Sequence, residues 1–140
     1  MGVKVSGFDE LQSLFRRVER KAIRAATAEL HHQGELIKDA SQALAPVDLG
    51  NLEESHAVET ERQPGKATTT ISVGGTVNGV DVDDYLDFIH DGSYNLGPKS
   101  AEKASTTGQP VGPEFLKRGF DKQEPEIADA IGDAILKAFE

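Results

Sequence analysis

Five cations crowd one stretch of predicted helix: Arg16, Arg17, Arg20, Lys21 and Arg24. At 100° per residue Arg16, Arg20 and Arg24 form an i,i+4 row, with Arg17 and Lys21 beside it. Leu11, Phe15, Val18, Ala22 and Ala25 lie on roughly the opposite side. A face of this kind can meet DNA phosphate, meet the acidic stretch 81–91 of a neighbouring copy, or stay solvated with Glu19 as partial compensation. Exposed pairs contribute only about 0–1 kcal/mol each, so an intersubunit set would fix register more than strength. The acidic counterpart is Asp81, Asp83, Asp84 and Asp87. Their spacing lacks the sixth-position Gly and terminal Glu of a calcium loop, and solvated charge accounts for them as well.

The other chemistry-bearing residues form no recognisable constellation. His31 and His32 are adjacent on a helix and point about 100° apart, which excludes a shared ligand site. His56 and His90 fall on separate predicted strands and could meet, with nothing to mark a metal. No Gly-x-Ser-x-Gly elbow accompanies the many Ser and Thr residues, and no Gly-Lys-Ser or Gly-Lys-Thr follows Gly74-Gly75. A small hydrolase built on His90 with Asp87 or Asp91 would also need a nucleophile and an oxyanion site, and neither is legible. The expectation is a non-enzymatic protein with no catalytic residue, metal or cofactor.

The elements that must carry these residues are α+β: a long N-terminal helix, a small mostly antiparallel sheet and a C-terminal helix. The chain of 140 residues suits one domain. It has no Cys, so no disulfide or thiolate metal site can form. The N-terminal residues offer no apolar run suited to a signal peptide, and no stretch approaches the ~20 apolar residues of a membrane span, so no membrane partner is expected. The net charge of −9 argues against nucleic-acid binding through the whole surface. It is uneven: residues 1–45 hold seven bases and six acids, 46–97 two bases (Arg62, Lys66) and ten acids, 98–140 six bases and eight acids. Such asymmetry suits copies meeting head to tail, and solvated faces equally.

Residues 9–44 read as helix, opened by Asp9 and Gln12 as a capping box, with Ile23, Leu30, Ile37 and Leu44 at a spacing of seven. Pro46 ends it. About 36 residues at 1.5 Å would reach roughly 54 Å, against roughly 37 Å for a compact chain of this size. Either the helix bends at Gly34 or its overhang packs on another subunit, and the second is the expectation. The sheet spans 56–90, with strands at 56–62, 67–74 and 85–90 and a tight-turn signal at Val77-Asn78-Gly79-Val80. Residues 91–112 read as a long flexible loop that orders on assembly. A final helix covers 113–139, its apolar stripe interrupted by Pro125, which must kink or restart it.

Three segments, in order and spacing, resemble the siphophage head–tail joining proteins, the tail-completion or neck family that includes minor tail protein Z of phage lambda. Gly7-Phe8-Asp9-Glu10-Leu11 opens the long helix. Ala45-Pro46-Val47-Asp48-Leu49-Gly50-Asn51-Leu52 is similar to the family's Ala-Pro-Val-Asp-Thr-Gly-x-Leu. Tyr85-Leu86-Asp87-Phe88-Ile89-His90-Asp91-Gly92-Ser93, followed later by Pro113-Glu114-Phe115-Leu116, resembles a strand end and a Pro-Phe-Leu-Arg-Pro helix start. Leu49, Glu53-Glu54, His90-Asp91, Glu114 and Gly119 depart from those patterns. Locally, Pro46, Asp48 and Gly50 suffice as a hinge from helix to sheet. Gly92, Pro113 and Phe115 are carried likewise as structural positions.

The resemblance implies a virion structural protein at the head–tail junction, made in the host cytoplasm. It would form a homo-oligomeric ring, sixfold in the family, between other neck, connector or tail proteins. Genomic DNA would pass through the channel, and the acidic middle segment, if it lined that channel, would repel it. The residues alone leave open a free-standing binding module whose basic helix face grips nucleic acid or an acidic protein.

Overall fold

The computed structural model describes residues 2, 3, 8–47 and 50–140, apart from the side chains of Phe8 and Asp9. Helix α1 (Phe8–Leu44) runs unbroken for 37 residues, about 55 Å. Gly34 does not bend it. The residue is buried where a Cβ would stand 2.6 Å from Thr69 Cγ2 and 3.0 Å from Val58 Cγ1, so glycine lets the sheet lie close against the helix. Helix α2 (Asn51–Glu54) follows, entered through Gly50 at φ 83°, a left-handed conformation that suits glycine. Asp48, part of the expected hinge, lies outside the described residues.

Strands β1 (Ala57–Gln63) and β2 (Lys66–Ser72) form an antiparallel hairpin in register from Ala57↔Ser72 to Gln63↔Lys66. Val58, Thr60, Ala67, Thr69 and Ile71 alternate as the half-buried face, while Glu59 and Glu61 are exposed. A second two-stranded ladder, β3 (Thr76–Val77) with β4 (Val80–Asp81), closes on Asn78 and Gly79, both at positive φ, as the Asn-Gly signal predicts.

Two expectations are corrected. The third strand at 85–90 is instead helix α3 (Asp83–Asp91). Asp83 and Asp84 supply the acidic first turn that a helix N-terminus favours, and Asp81 Oδ1 accepts the Asp83 N–H at 3.1 Å. Tyr85 and Ile89, one turn apart, then pack on the core. The segment 91–112 is not one long loop. It contains α4 (Pro98–Thr107), with Pro98 in the first turn and Gly108 left-handed at its end. Ser100, buried in this helix, accepts the Val47 N–H at 2.8 Å and donates to the Val47 carbonyl at 3.0 Å.

Helix α5 (Phe115–Ala138) continues through Pro125, and the hydrogen bond that proline cannot donate falls at exposed Asp121. It lies antiparallel to α1: Gly119 meets Ser41, Gln123 Nε2 donates to Gln33 Oε1 at 2.7 Å, and the Lys21 ammonium sits 5.1 Å from the Phe139 ring centroid. A Cβ on Gly119 would stand 2.8 Å from the Ser41 backbone nitrogen. Gly119 is therefore what lets the two helices touch. The core gathers at the C-terminal end of α1, where Leu44, Ala45, Leu52, Val82 and Phe115 are buried beneath Tyr85, Leu86 and Ile89.

Candidate functional site

Three of the four histidines are held by side-chain contacts. Nδ1 of His56 faces the carbonyls of Leu52 and Glu53 at 3.0 and 3.1 Å, so it carries the proton. Nε2 then accepts the Ser41 hydroxyl at 2.7 Å. Burial pushes the His56 pKa below its ordinary value, against the pull of those carbonyls. Ser41 exposes none of its surface and lies under Gly119, so no substrate carbonyl can reach its Oγ in this conformation. His56 and His90 do not meet; they flank the Phe115 ring at 5.9 and 5.0 Å. His90 Nδ1 also bonds Asp91 at 2.8 Å, while His31 bonds Thr60 at 2.8 Å. Among the described residues no three His, Asp or Glu side chains gather to hold a metal.

The Lys103 ammonium does the most polar work in the fold. It donates to the Gln42 and Ala45 carbonyls, at 2.5 and 2.8 Å, and pairs with the Glu53 carboxylate. A cation at the C-terminal end of α1 adds a donor to the Gln42 carbonyl, which otherwise accepts only the Ala45 N–H at 3.3 Å among the described residues, and to the Ala45 carbonyl beyond it. Thus α4 clamps the end of α1, a role concealed within the supposed loop.

The five bases all stand exposed on the first half of α1. Arg62 joins them. The β1–β2 hairpin folds back along α1, bringing Arg62 and the Gln63-Pro64-Gly65 turn against Arg20, Ile23 and Arg24 around a cleft of about 280 Å³. No ion pair among the described residues involves these three arginines. In sequence Arg62 carries only one signal, as one of two bases in an acidic stretch.

The acidic residues lie at the other end. Asp81 holds the start of α3, and Asp83 Oδ1 accepts the Gly75 N–H at 3.1 Å. Asp84 and Asp87 are exposed, and with Asp91 they share one face of α3 beside Phe88, which is 60% exposed. Phe88, Tyr85 and Ile89 also wall an apolar cavity of about 690 Å³ with Pro46, Leu52 and Leu96. Of the remaining motif positions, Gly92 ends α3, where a Cβ would stand 2.1 Å from the Phe88 carbonyl oxygen. Pro113 is exposed, and Phe115 is fully buried.

The overhang expected of α1 exists. Helix α5 ends at Ala138 beside Lys21, so residues 8–20 extend past it by about 20 Å. Leu11, Leu14, Phe15 and Val18 form an i, i+3, i+4, i+7 stripe there, exposed by 44, 46, 62 and 42%. Leu136 and Phe139 are exposed at the adjoining end of α5. Comparison of the chain with protein-family models, curated proteins and solved structures finds no match.

Proposed function

We propose that this chain is a structural subunit of a tailed-phage head–tail junction, a tail-completion or neck protein that acts as one copy in a ring. The observation that carries the reading is the arm of α1. An amphipathic helix with a continuous apolar stripe is built to be covered, and α5 stops short of covering it. Burying the exposed half of four side chains, each contributing roughly 1.5–3 kcal/mol when fully buried, yields about 3–6 kcal/mol. After the entropic cost of association that is a weak pairwise contact. A closed ring, in which every copy is held on two sides, fits such an arm better than a free dimer. The three-segment resemblance supplies the setting, and sixfold symmetry follows from it alone.

The second reading, a binding module for nucleic acid or an acidic protein, is favoured by the unpaired arginine cleft. Light scattering across a wide concentration range, with images of any large species, separates the two. The ring reading expects a discrete closed species that Phe15→Asp with Val18→Asp abolishes without loss of helix content. A wild-type chain that stays monomeric throughout, or an arm variant that assembles like wild type, overturns the ring reading.

A further inference from the structure

We propose that the arginine cleft between α1 and the hairpin tip seats helix α3 of a second copy. Consecutive subunits would then join head to tail through Arg16, Arg20, Arg24 and Arg62 of one and Asp84, Asp87 and Asp91 of the next. The inference rests on the ring reading and names the polar surfaces that join its copies.

Three observations carry it. First, most of the charges are unspent at home: among the described residues none of Arg16, Arg20, Arg24 and Arg62 enters an ion pair and Asp84 and Asp87 have no partner, while Asp91 shares one oxygen with His90 Nδ1 at 2.8 Å. Second, the rows match in length. Arg16, Arg20 and Arg24 span eight residues of helix, about 12 Å, and Asp84, Asp87 and Asp91 span seven, about 10 Å. Two helices can therefore lie row on row, with Arg62 closing the side of the cleft. Third, one chain cannot satisfy itself. The cleft lies at residues 20–24 of α1 and α3 packs at its Leu44 end, about 30 Å away. Each copy presents one socket and one plug on different surfaces, which is the definition of a heterologous contact, closing into a ring when its rotation permits.

The chemistry favours a carboxylate row over a polyphosphate track. Guanidinium forks bind carboxylate and phosphate alike in paired hydrogen bonds. Glu59 and Glu61, exposed on the same strand as Arg62, and Glu19 beside the arginine row would repel an extended phosphate backbone. A short helix bearing three carboxylates covers less of the surface and meets fewer of these acids than an extended polyanion does. In this arrangement α3 faces the neighbouring copy and not the channel.

The test uses two charge-reversed full-length chains: Arg20→Glu with Arg24→Glu and Arg62→Glu, and Asp84→Lys with Asp87→Lys. These positions are exposed or unpaired, and circular dichroism checks that both variants fold. At low salt the wild type should assemble and fall apart as salt rises, while each variant alone associates roughly a hundredfold more weakly or worse. An equimolar mixture should regain the wild-type mass, because in an alternating assembly each reversed cleft meets a reversed α3 and each native cleft meets a native α3. A wild type that assembles while both variants do so equally well overturns this pairing and leaves the ring reading standing. Charge-dependent association that stops at two copies keeps the pairing and overturns the ring. A monomeric wild type at low salt, or a mixture that stays monomeric, overturns the pairing. Retention of a short DNA duplex, lost on reversing the three arginines and leaving the mass unchanged, assigns the cleft to nucleic acid instead.

Discussion

Gly119→Ala and Gly132→Ala place the same chemical change at two points of α5, and the structure predicts opposite signs. In a helix interior alanine is more favourable than glycine by about 0.8–1 kcal/mol. At Gly132 a Cβ would meet nothing within 4 Å, so the whole gain should appear as stability. At Gly119 the same Cβ would stand 2.8 Å from Ser41 N and 3.0 Å from Ser41 Cα. The obstacle is the backbone of α1, which cannot rotate aside, so the helices must separate. Overpacking costs about 1–3 kcal/mol, and a backbone obstacle argues for the upper end. The net expectation is a loss of about 2 kcal/mol. Separation would also strain the Ser41–His56 hydrogen bond beneath the contact. Urea unfolding followed by far-UV circular dichroism reads both variants, with midpoint shifts of about 1 M down and about half that up at unchanged slope. A Gly119→Ala midpoint at or above wild type would refute the close helix contact.

Two further predictions concern polar links. His56 is neutral in the fold with its pKa lowered by burial, so the unfolded chain binds its proton first as pH falls. Its contribution should be complete above the ordinary histidine pKa and be lost as pH drops through that value toward the depressed one. Urea midpoints from pH 7.5 to 5.5 should show this loss, and His56→Gln should flatten it; an equal slope in both proteins would refute the assignment. Lys103→Met removes the donor from the Gln42 and Ala45 carbonyls and strands Glu53, for an expected loss of about 1–3 kcal/mol. It should also speed tryptic cleavage after Lys99, since α4 then loses its link to the end of α1; unchanged cleavage would mean that Lys103 does not clamp this helix.

How far these features could be read from the sequence depended on the range of the forces involved. The long helix, the hairpin and the last helix follow local periodicity, and all three stand within a residue or two of their expected bounds. Helix α3 takes the appearance of a strand because Tyr85-Leu86-Asp87-Phe88-Ile89 packs apolar residues too densely for either period. The acidic pair Asp83-Asp84 was the local cue to a helix start. Helix α4 hid behind its Ser and Thr content, although Pro98 and Gly108 bracket it as proline and glycine bracket helices. The Arg62 cleft, the Ser41–His56 link and the Lys103 clamp join residues 15 to 61 positions apart, and no local pattern encodes them.

The arm of α1 has a kinetic consequence. Its first thirteen residues are near the length at which an isolated helix is only marginally stable in water, whereas the last turn of the same helix is fastened to the core. One continuous helix therefore spans nearly the whole range of local opening free energies, from fraying at residue 8 to global unfolding at Leu44. Amide protons should exchange quickly in the arm and slowly beyond about residue 30. A subunit that stiffens its arm on docking spends ordering entropy on the first contact and less on each contact that follows. Growth of the proposed ring from such a subunit would begin slowly and finish fast, leaving partly built rings scarce.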